Sequence, residues 1–349
     1  MRTSWTLFVV FVLLFWELWD YVPLLTRVGS IVGSLVIILL ASHWLSRFVW
    51  KKLFVKRLPS DGKSVLVTGC DTGFGHALAV QLSKEGFLVF AGCLNGQGDG
   101  AKSLRELTNV RVLQLDVTQD EQVEAALSSV KQELGYRVLW CVVANAAIRT
   151  NGLLEWVTMD SITKIFDVNL FGTLRVTKKF LPLLKKSNGR MIVVSSPFGH
   201  LTMPMGVPYC MTKHALVSMV DGLRRECQGK GVDFIAVEPI AYKTQITANL
   251  DDADAVQEEL QRQAPEVIAD YSADEIQHWL TTVRLTYDTL ARDDINEVVE
   301  TIMLAVRETY PKTRYISPFR LAGFVYYLPM CLPSELADLL LGSAIKTLP

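Results

Sequence analysis

No two of the six cysteines form a C-x-x-C pair, and no two share a metal-ligand spacing with a histidine. They fall at positions 70, 93, 141, 210, 227 and 331, several inside apolar runs. That distribution reads as reduced, mostly buried thiols in a cytosol-facing protein, and it offers no metal site. An excess of one charge is also missing: 35 Lys and Arg against 36 Asp and Glu leave a formal net charge of −1. No basic field therefore argues for a nucleic acid partner. There is no G-x-S-x-G elbow, so His76, His200 and His214 do not point to a serine hydrolase. Internal repeats and low-complexity tracts are absent as well.

Formal charge is missing altogether from Val28 to Ser46, a run of 19 residues. As a helix it spans about 28 Å, close to the ~30 Å hydrocarbon core of a bilayer. Trp5 to Trp16 is a second apolar run, but it reaches spanning length only by continuing through Glu17 and Asp20. Neither a signal-peptide cleavage site nor an Arg- and Ser-rich transit pattern is evident. Arg47, Lys51, Lys52, Lys56 and Arg57 come after the long run, which predicts that this flank stays cytoplasmic. Residues 1–57 are thus expected to be a membrane anchor of one or two helices. Pro59 to Gly62 make a hinge between this anchor and the remainder of the chain.

Past the hinge the pattern changes. Apolar β-rich runs at 64–68, 87–92, 110–115, 138–144, 190–195 and 232–237 alternate with helical periods at 75–84, 99–108, 120–134, 160–186 and 206–228. Continuous apolar strands separated by helices predict an α/β fold, a parallel sheet covered on both faces. The expected catalytic domain is 58–315. Its segment near 245–295 is acidic and helical in composition, a candidate substrate cover. Residues 316–349 form an apolar C-terminal segment, expected to contribute to a substrate pocket or to membrane contact, with packing on a sheet edge as the simpler alternative.

The first strand runs into Thr68, Gly69, Asp71, Thr72, Gly73, Phe74 and Gly75, which open a helix. Glycines there permit a tight turn and close approach of a pyrophosphate to helix N-terminal amides. The spacing is G-x-x-x-G-x-G, and the strand-before, helix-after context favours a dinucleotide. Neither this loop nor Cys93-Leu94-Asn95 supplies a cation for a 2′-phosphate, and Asp71 would repel one, so NAD is favoured over NADP. Asp116, ahead of Val117, suits either an adenine amino group or a helix cap.

Tyr209 and Lys213 are spaced i, i+4, and Ser196 ends a strand. An ammonium one turn from a phenol favours phenolate, whose ordinary pKa of ~10 makes it a poor base. Ser196 faces the ligand crevice of an open parallel sheet. Asn169 sits inside a predicted helix, where asparagine needs a reason. A water and backbone bond beside the lysine would be one, and a buried polar kink another.

The loop Thr68 to Gly75, the Asp116-Val117 pair, Asn145-Ala146, Asn169, Ser196, Tyr209 and Lys213 together resemble the classical short-chain dehydrogenase/reductase family over about residues 63–245. The hydrophobic N-terminus, Gly86 to Asn95 and Phe180 to Leu184 are similar to its membrane-bound hydroxysteroid and retinol dehydrogenase branch. The resemblance implies a Rossmann-type doubly wound parallel sheet of about seven strands. It implies a catalytic tetrad of Asn169, Ser196, Tyr209 and Lys213, and a cofactor site that also includes Pro239 and Thr244. It further implies a secondary alcohol or ketone on a steroid or similar lipid as substrate. The endoplasmic reticulum membrane is the implied location, and a homodimer is compatible with it. A retinol dehydrogenase and a catalytically silent lipid-binding protein are the alternatives. Three positions depart from the family pattern, the first being Ala144 in place of the leading asparagine of Asn-Asn-Ala-Gly. Ala147 replaces a glycine near the adenosine ribose. Ile240 replaces a glycine after Pro239, adding bulk and removing freedom at positive φ.

Overall fold

A computed structural model describes residues 14, 23–150, 152–248, 253–318 and 329–339. They divide into two units between Lys56 and Arg57. The first holds helix α1, Pro23–Phe54. Within it Thr26–Ser46 is long and apolar enough to cross a membrane, and its large side chains are exposed: Ile37 is 67% and Leu39 68% exposed. The apolar run before it and most of the C-terminal apolar run, Phe319 to Leu328 included, lie outside the described residues.

The second unit is built on a seven-stranded parallel sheet. Its strands are β1 Lys63–Thr68, β2 Leu88–Cys93, β3 Val110–Gln114, β4 Val138–Ala144, β5 Arg190–Val194, β6 Asp233–Pro239 and β7 Arg314–Ser317. Their order is β3-β2-β1-β4-β5-β6-β7, so the chain winds one way from β1 and then the other. A crevice opens at that reversal, beyond the C-terminal ends of β1 and β4. The seventh strand runs across position 315, so Ile316 and Ser317 belong to the sheet and not to a separate terminal segment.

Strand periodicity decides which layer each side chain enters. Val65 and Val67, Val89 and Ala91, and Cys141 and Val143 face one core. Helices α2 (Gly73–Lys84), α3 (Asp99–Arg105) and α11 (Asn296–Arg307) cover it. Leu66, Phe90 and Val142 face the other core. That one is covered by α4 (Asp120–Glu133), α6 (Thr173–Ser187) and α7 (Val207–Glu226). Both faces are dry, which is why the strands read as uninterrupted apolar runs. Five of the six thiols are buried and Cys331 is exposed; all are free.

One predicted helix is broken. The 160–186 period consists of α5, Met159–Phe166, then a wide π-helical turn at Asp167–Gly172, then α6. Such turns favour functional positions, and this one contains Asn169. The late acidic segment is helical: α8 Ala253–Gln261, α9 Pro265–Ala269 and α10 Ala273–Leu290. A capping box from Ser272 and Glu275 starts α10. Trp156, Met205, Val256, Leu260 and Leu280 form a separate small core beneath these helices.

Candidate active site

A cavity of about 1290 Å³ lies over the C-terminal strand ends. One wall consists of Gly69, Asp71, Thr72, Gly73 and Phe74 with Asp116, Val117, Asn145, Ala146, Pro239 and Thr244. Ser196, Tyr209 and Lys213 line its middle. Thr68, Gly75 and Asn169 do not reach it; they build the structures that do.

Thr68 closes β1 against β4: its Oγ1 accepts from the amides of Asn145 and Ala146, both at 3.0 Å. Asn145 returns bonds from Nδ2 to the carbonyls of Thr68 (3.0 Å) and Gly69 (3.2 Å). Gly69 has φ +70°, and a Cβ there would stand 2.8 Å from the Ala146 Cα. Gly75 is tighter still, since an added Cβ would lie 2.1 Å from the Gly69 carbonyl oxygen. The loop therefore presses α2 onto the strand end with no space for a side chain. Thr72, the N-cap of α2, makes no side-chain cap. Amides in the first turn are thus left for an anion, as a pyrophosphate requires.

Asp71 behaves differently from the expectation that it merely repels phosphate. Its carboxylate accepts from the backbone N–H of Leu94 (2.9 Å) and of Asn95 (2.8 Å), just past β2. The glycine loop thus places a carboxylate at the end of β2. Asp116 is likewise a turn residue: its Oδ1 accepts from the amide and hydroxyl of Thr118 at 2.9 and 2.8 Å. It is not the cap of α4, which begins after Gln119. Ile240 has no positive φ, its amide donates to the Ser317 carbonyl at 3.0 Å, and its side chain joins the core. The glycine missing there is compensated by ordinary backbone geometry. Ala147 lines the cavity.

Asn169 is 1% exposed. Its Oδ1 accepts from the Ile148 amide at 2.8 Å, and its Nδ2 donates to the Ile148 carbonyl at 2.9 Å and to Thr212 Oγ1 at 3.2 Å. Both amide protons are engaged by protein, so its side chain clamps the chain after β4 and donates to no water. Ser196 Oγ accepts from Phe198 N at 3.2 Å. Its loop is pinned from below. His200 Nε2 lies 2.9 Å from the fully buried Glu238 carboxylate, which Arg314 Nε meets at 3.2 Å.

Lys213 donates from Nζ to the Val194 carbonyl at 2.9 Å, and burial pushes its pKa down to about 8. Burial pushes the Tyr209 phenol up to about 12, against the charge of Arg149 and a hydrogen bond from Ser196, which lower it. Arg149 is a second cation beside the phenol, its guanidinium carbon 5.5 Å from the Tyr209 ring centroid. Lys213 Nζ stands 5.4 Å from the same centroid but is turned to the strand-end carbonyl. Sequence spacing identified the lysine and missed the arginine. Its only signal was a lone cation four residues beyond Asn145, at a strand end where side chains meet the ligand crevice.

The opposite wall is apolar. Trp279, Val283, Tyr287 and Leu290 recur at helical spacing along α10, and Met203 and Met205 face them from the loop before α7. Burial holds the thiols of Cys70, Cys93, Cys141 and Cys210 above their ordinary pKa, so none is a ready nucleophile.

Residues 63–255 match the family model described as short chain dehydrogenase. The chain is 39% identical to mouse estradiol 17-beta-dehydrogenase 2 over 83% of its own length and 75% of the relative's. It is 33% identical to mouse retinol dehydrogenase 7 over 89% of its length and 98% of the relative's. Among solved structures, a short chain dehydrogenase/reductase from Burkholderia phymatum in complex with NAD matches with a TM-score of 0.64. It is 18% identical, over 81% of this chain and 96% of that one, and shows likeness of fold alone.

Proposed function

We propose, from the premise that the chain belongs to the short-chain dehydrogenase family and to its hydroxysteroid and retinol branch, that it is a membrane-anchored, NAD-preferring dehydrogenase. Its substrate is a secondary alcohol on a steroid or similar apolar lipid. The observation that carries this reading is the meeting of Tyr209, Ser196 and Lys213 in one cavity, between a glycine-loop wall and an apolar wall.

The cradle of uncapped amides at Thr72 to Gly75 suits a dinucleotide. Gly69, Asp71, Phe74, Asp116, Val117, Asn145, Ala146, Pro239 and Thr244 would complete its site. When bound, the nicotinamide supplies the acceptor for a hydride from the carbinol carbon. Tyr209 takes the hydroxyl proton, leaving the ketone. Arg149 and the Ser196 hydroxyl draw the buried phenol back toward a usable pKa. Ser196 also holds the substrate oxygen. Lys213, with one bond given to Val194, keeps donors for the ribose hydroxyls. Asn169 holds Ile148, and with it the chain leading to Arg149. Asp71 supports NAD, because a 2′-phosphate brought near the end of β2 would meet a carboxylate.

The basic residues that follow the apolar run, Arg47 to Arg57, support a cytosolic catalytic domain on the endoplasmic reticulum membrane. Protease added to sealed microsomes should digest that domain; protection until detergent is added would overturn the orientation. The activity is tested with the full-length chain in detergent, given NAD and NADP in parallel against a panel of hydroxysteroids and retinols. A secondary hydroxysteroid should reduce NAD. Binding of cofactor with no reduction by any alcohol would instead mark a silent lipid-binding protein.

A further inference from the structure

One carboxylate in the sheet plays no part in the steps above. β6 is apolar from Phe234 to Val237 and then places Glu238, fully buried, one residue before Pro239 of the cavity wall. A buried carboxylate is costly unless it is paired and hydrogen-bonded. Its partners come from two other elements. Arg314, the first residue of β7, stands opposite Ala236, and its Nε lies 3.2 Å from Glu238 Oε1. His200 Nε2 lies 2.9 Å from the same oxygen and 2.7 Å from Arg314 Nη1. One ring nitrogen can donate to a carboxylate or accept from a guanidinium, not both. Either tautomer keeps one of those bonds, and Arg314 meets the carboxylate directly, so the three groups hold together. Arg314 Nη2 also stands 3.7 Å from Asp221 of α7.

This cluster ties together the elements that carry the reacting side chains. His200 ends the short turn that opens with Ser196, through bonds from Gly199 N to the Ser196 carbonyl and from His200 N to the Pro197 carbonyl, both 2.9 Å. Gly199 seats the turn against α7: a Cβ there would lie 2.9 Å from the Lys213 carbonyl oxygen and 2.6 Å from Val217 Cγ2. The Ser195 amide donates to the Val237 carbonyl at 2.8 Å, next to Glu238. The serine turn, the strand end before Pro239 and the helix of Tyr209 and Lys213 thus converge on one charged cluster. An apolar trio of similar volume would hold the sheet as well or better. It would not aim the serine turn, because apolar contacts have no direction, whereas hydrogen bonds do.

We propose that His200, held by Glu238 and Arg314, is a positioning residue that sets the Ser196 hydroxyl against Tyr209. None of the three lines the cavity, so each acts through the serine turn and not on substrate. The proposal rests on the dehydrogenase reading and adds to its machinery a cluster outside the site.

The test uses the cofactor-free, full-length chain in non-ionic detergent with His200→Ala and His200→Gln, both of which leave the Glu238–Arg314 pair in place. Hydrogen exchange across residues 195–202 should be about tenfold or more faster in His200→Ala, while β5 is unchanged. His200→Gln, which can return a polar atom to the position of Nε2, should restore most of the protection. Unchanged exchange in the turn would overturn the proposal, and so would an equal rise in β5, which marks a general loss of stability. NAD reduction by the most active alcohol of the hydroxysteroid and retinol panel is the second readout. In His200→Ala kcat should fall about tenfold with cofactor affinity constant, since a misplacement of about 1 Å can cost 10²-fold. The same substitution should cost nothing further in Ser196→Ala, because it acts through that hydroxyl. Losses that multiply independently would overturn the positioning role. If no alcohol of the panel is oxidised, the dehydrogenase reading falls, and the exchange result alone decides whether His200 holds the turn.

Discussion

On one side of the cavity the wall is made by backbone. Gly69 and Gly75 bring chain against chain, and Thr68 and Asn145 lock the ends of β1 and β4 through four bonds to main-chain atoms. On the other side the wall is made by side chains, from a helix that starts some two hundred residues later and from a single arginine. A backbone wall recognises what every dinucleotide shares, its phosphates and ribose. A side-chain wall can be rewritten one residue at a time without disturbing the sheet. That difference explains how one scaffold keeps its cofactor while its substrate changes.

The comparison can be broken most sharply where the two walls meet. Tyr209→Phe should lower turnover by 10²–10⁴-fold and leave cofactor affinity nearly unchanged, because the ring still packs while the proton acceptor is gone. Retention of more than about a hundredth of the activity would place the base elsewhere.

Gly75→Ala should strike the backbone wall alone. Its Cβ would stand 2.1 Å from the Gly69 carbonyl, so α2 must back away from the loop. A loss of about 1–3 kcal/mol in stability is expected, as for other overpacked sites. Cofactor binding should weaken by more than tenfold on the same scale. Unaltered cofactor binding, by calorimetry or fluorescence, would contradict the close-packing account.

Trp279→Ala addresses the side-chain wall. KM for a lipid alcohol should rise about tenfold, the scale of one lost large apolar contact, while KM for NAD moves little. Equal changes in both would mean that the walls are not independent.

A pH-dependent effect concerns Lys213, which both functions share. Its pKa is held near 8 by burial, against 10.5 for the ordinary group. Between these values the folded chain binds fewer protons than the unfolded chain, so stability rises with pH. The penalty of burying the ammonium is present below pH 8 and is relieved above it. Relative to Lys213→Met, the cofactor-free protein should gain up to ~3 kcal/mol from pH 7.5 to 10.5, read as a rise in Tm. A constant difference across that range would show that the lysine is not desolvated.

Local chemistry carried much of this protein's fold and site into its sequence. Apolar runs bounded by turn residues gave six strands near their observed positions, since a sheet covered on both faces needs no polar side chains. The glycine loop, Ser196, Tyr209 and Lys213 were legible because a tight turn and an i, i+4 pair are properties of neighbouring residues. Other features depended on residues far apart in the chain. Asp71 finds its partners at Leu94 and Asn95, across the β1–β2 crossover, so its role is invisible at its own position. Asn169 reads as an awkward helix residue until the π turn places it against Ile148 and Thr212. Arg149 reads as one cation after an apolar strand until Tyr209 and Tyr287 close around it. Spacing along the chain settles geometry within a helical turn or a tight loop. Burial and the choice of partner depend on long-range packing, which tertiary structure alone decides.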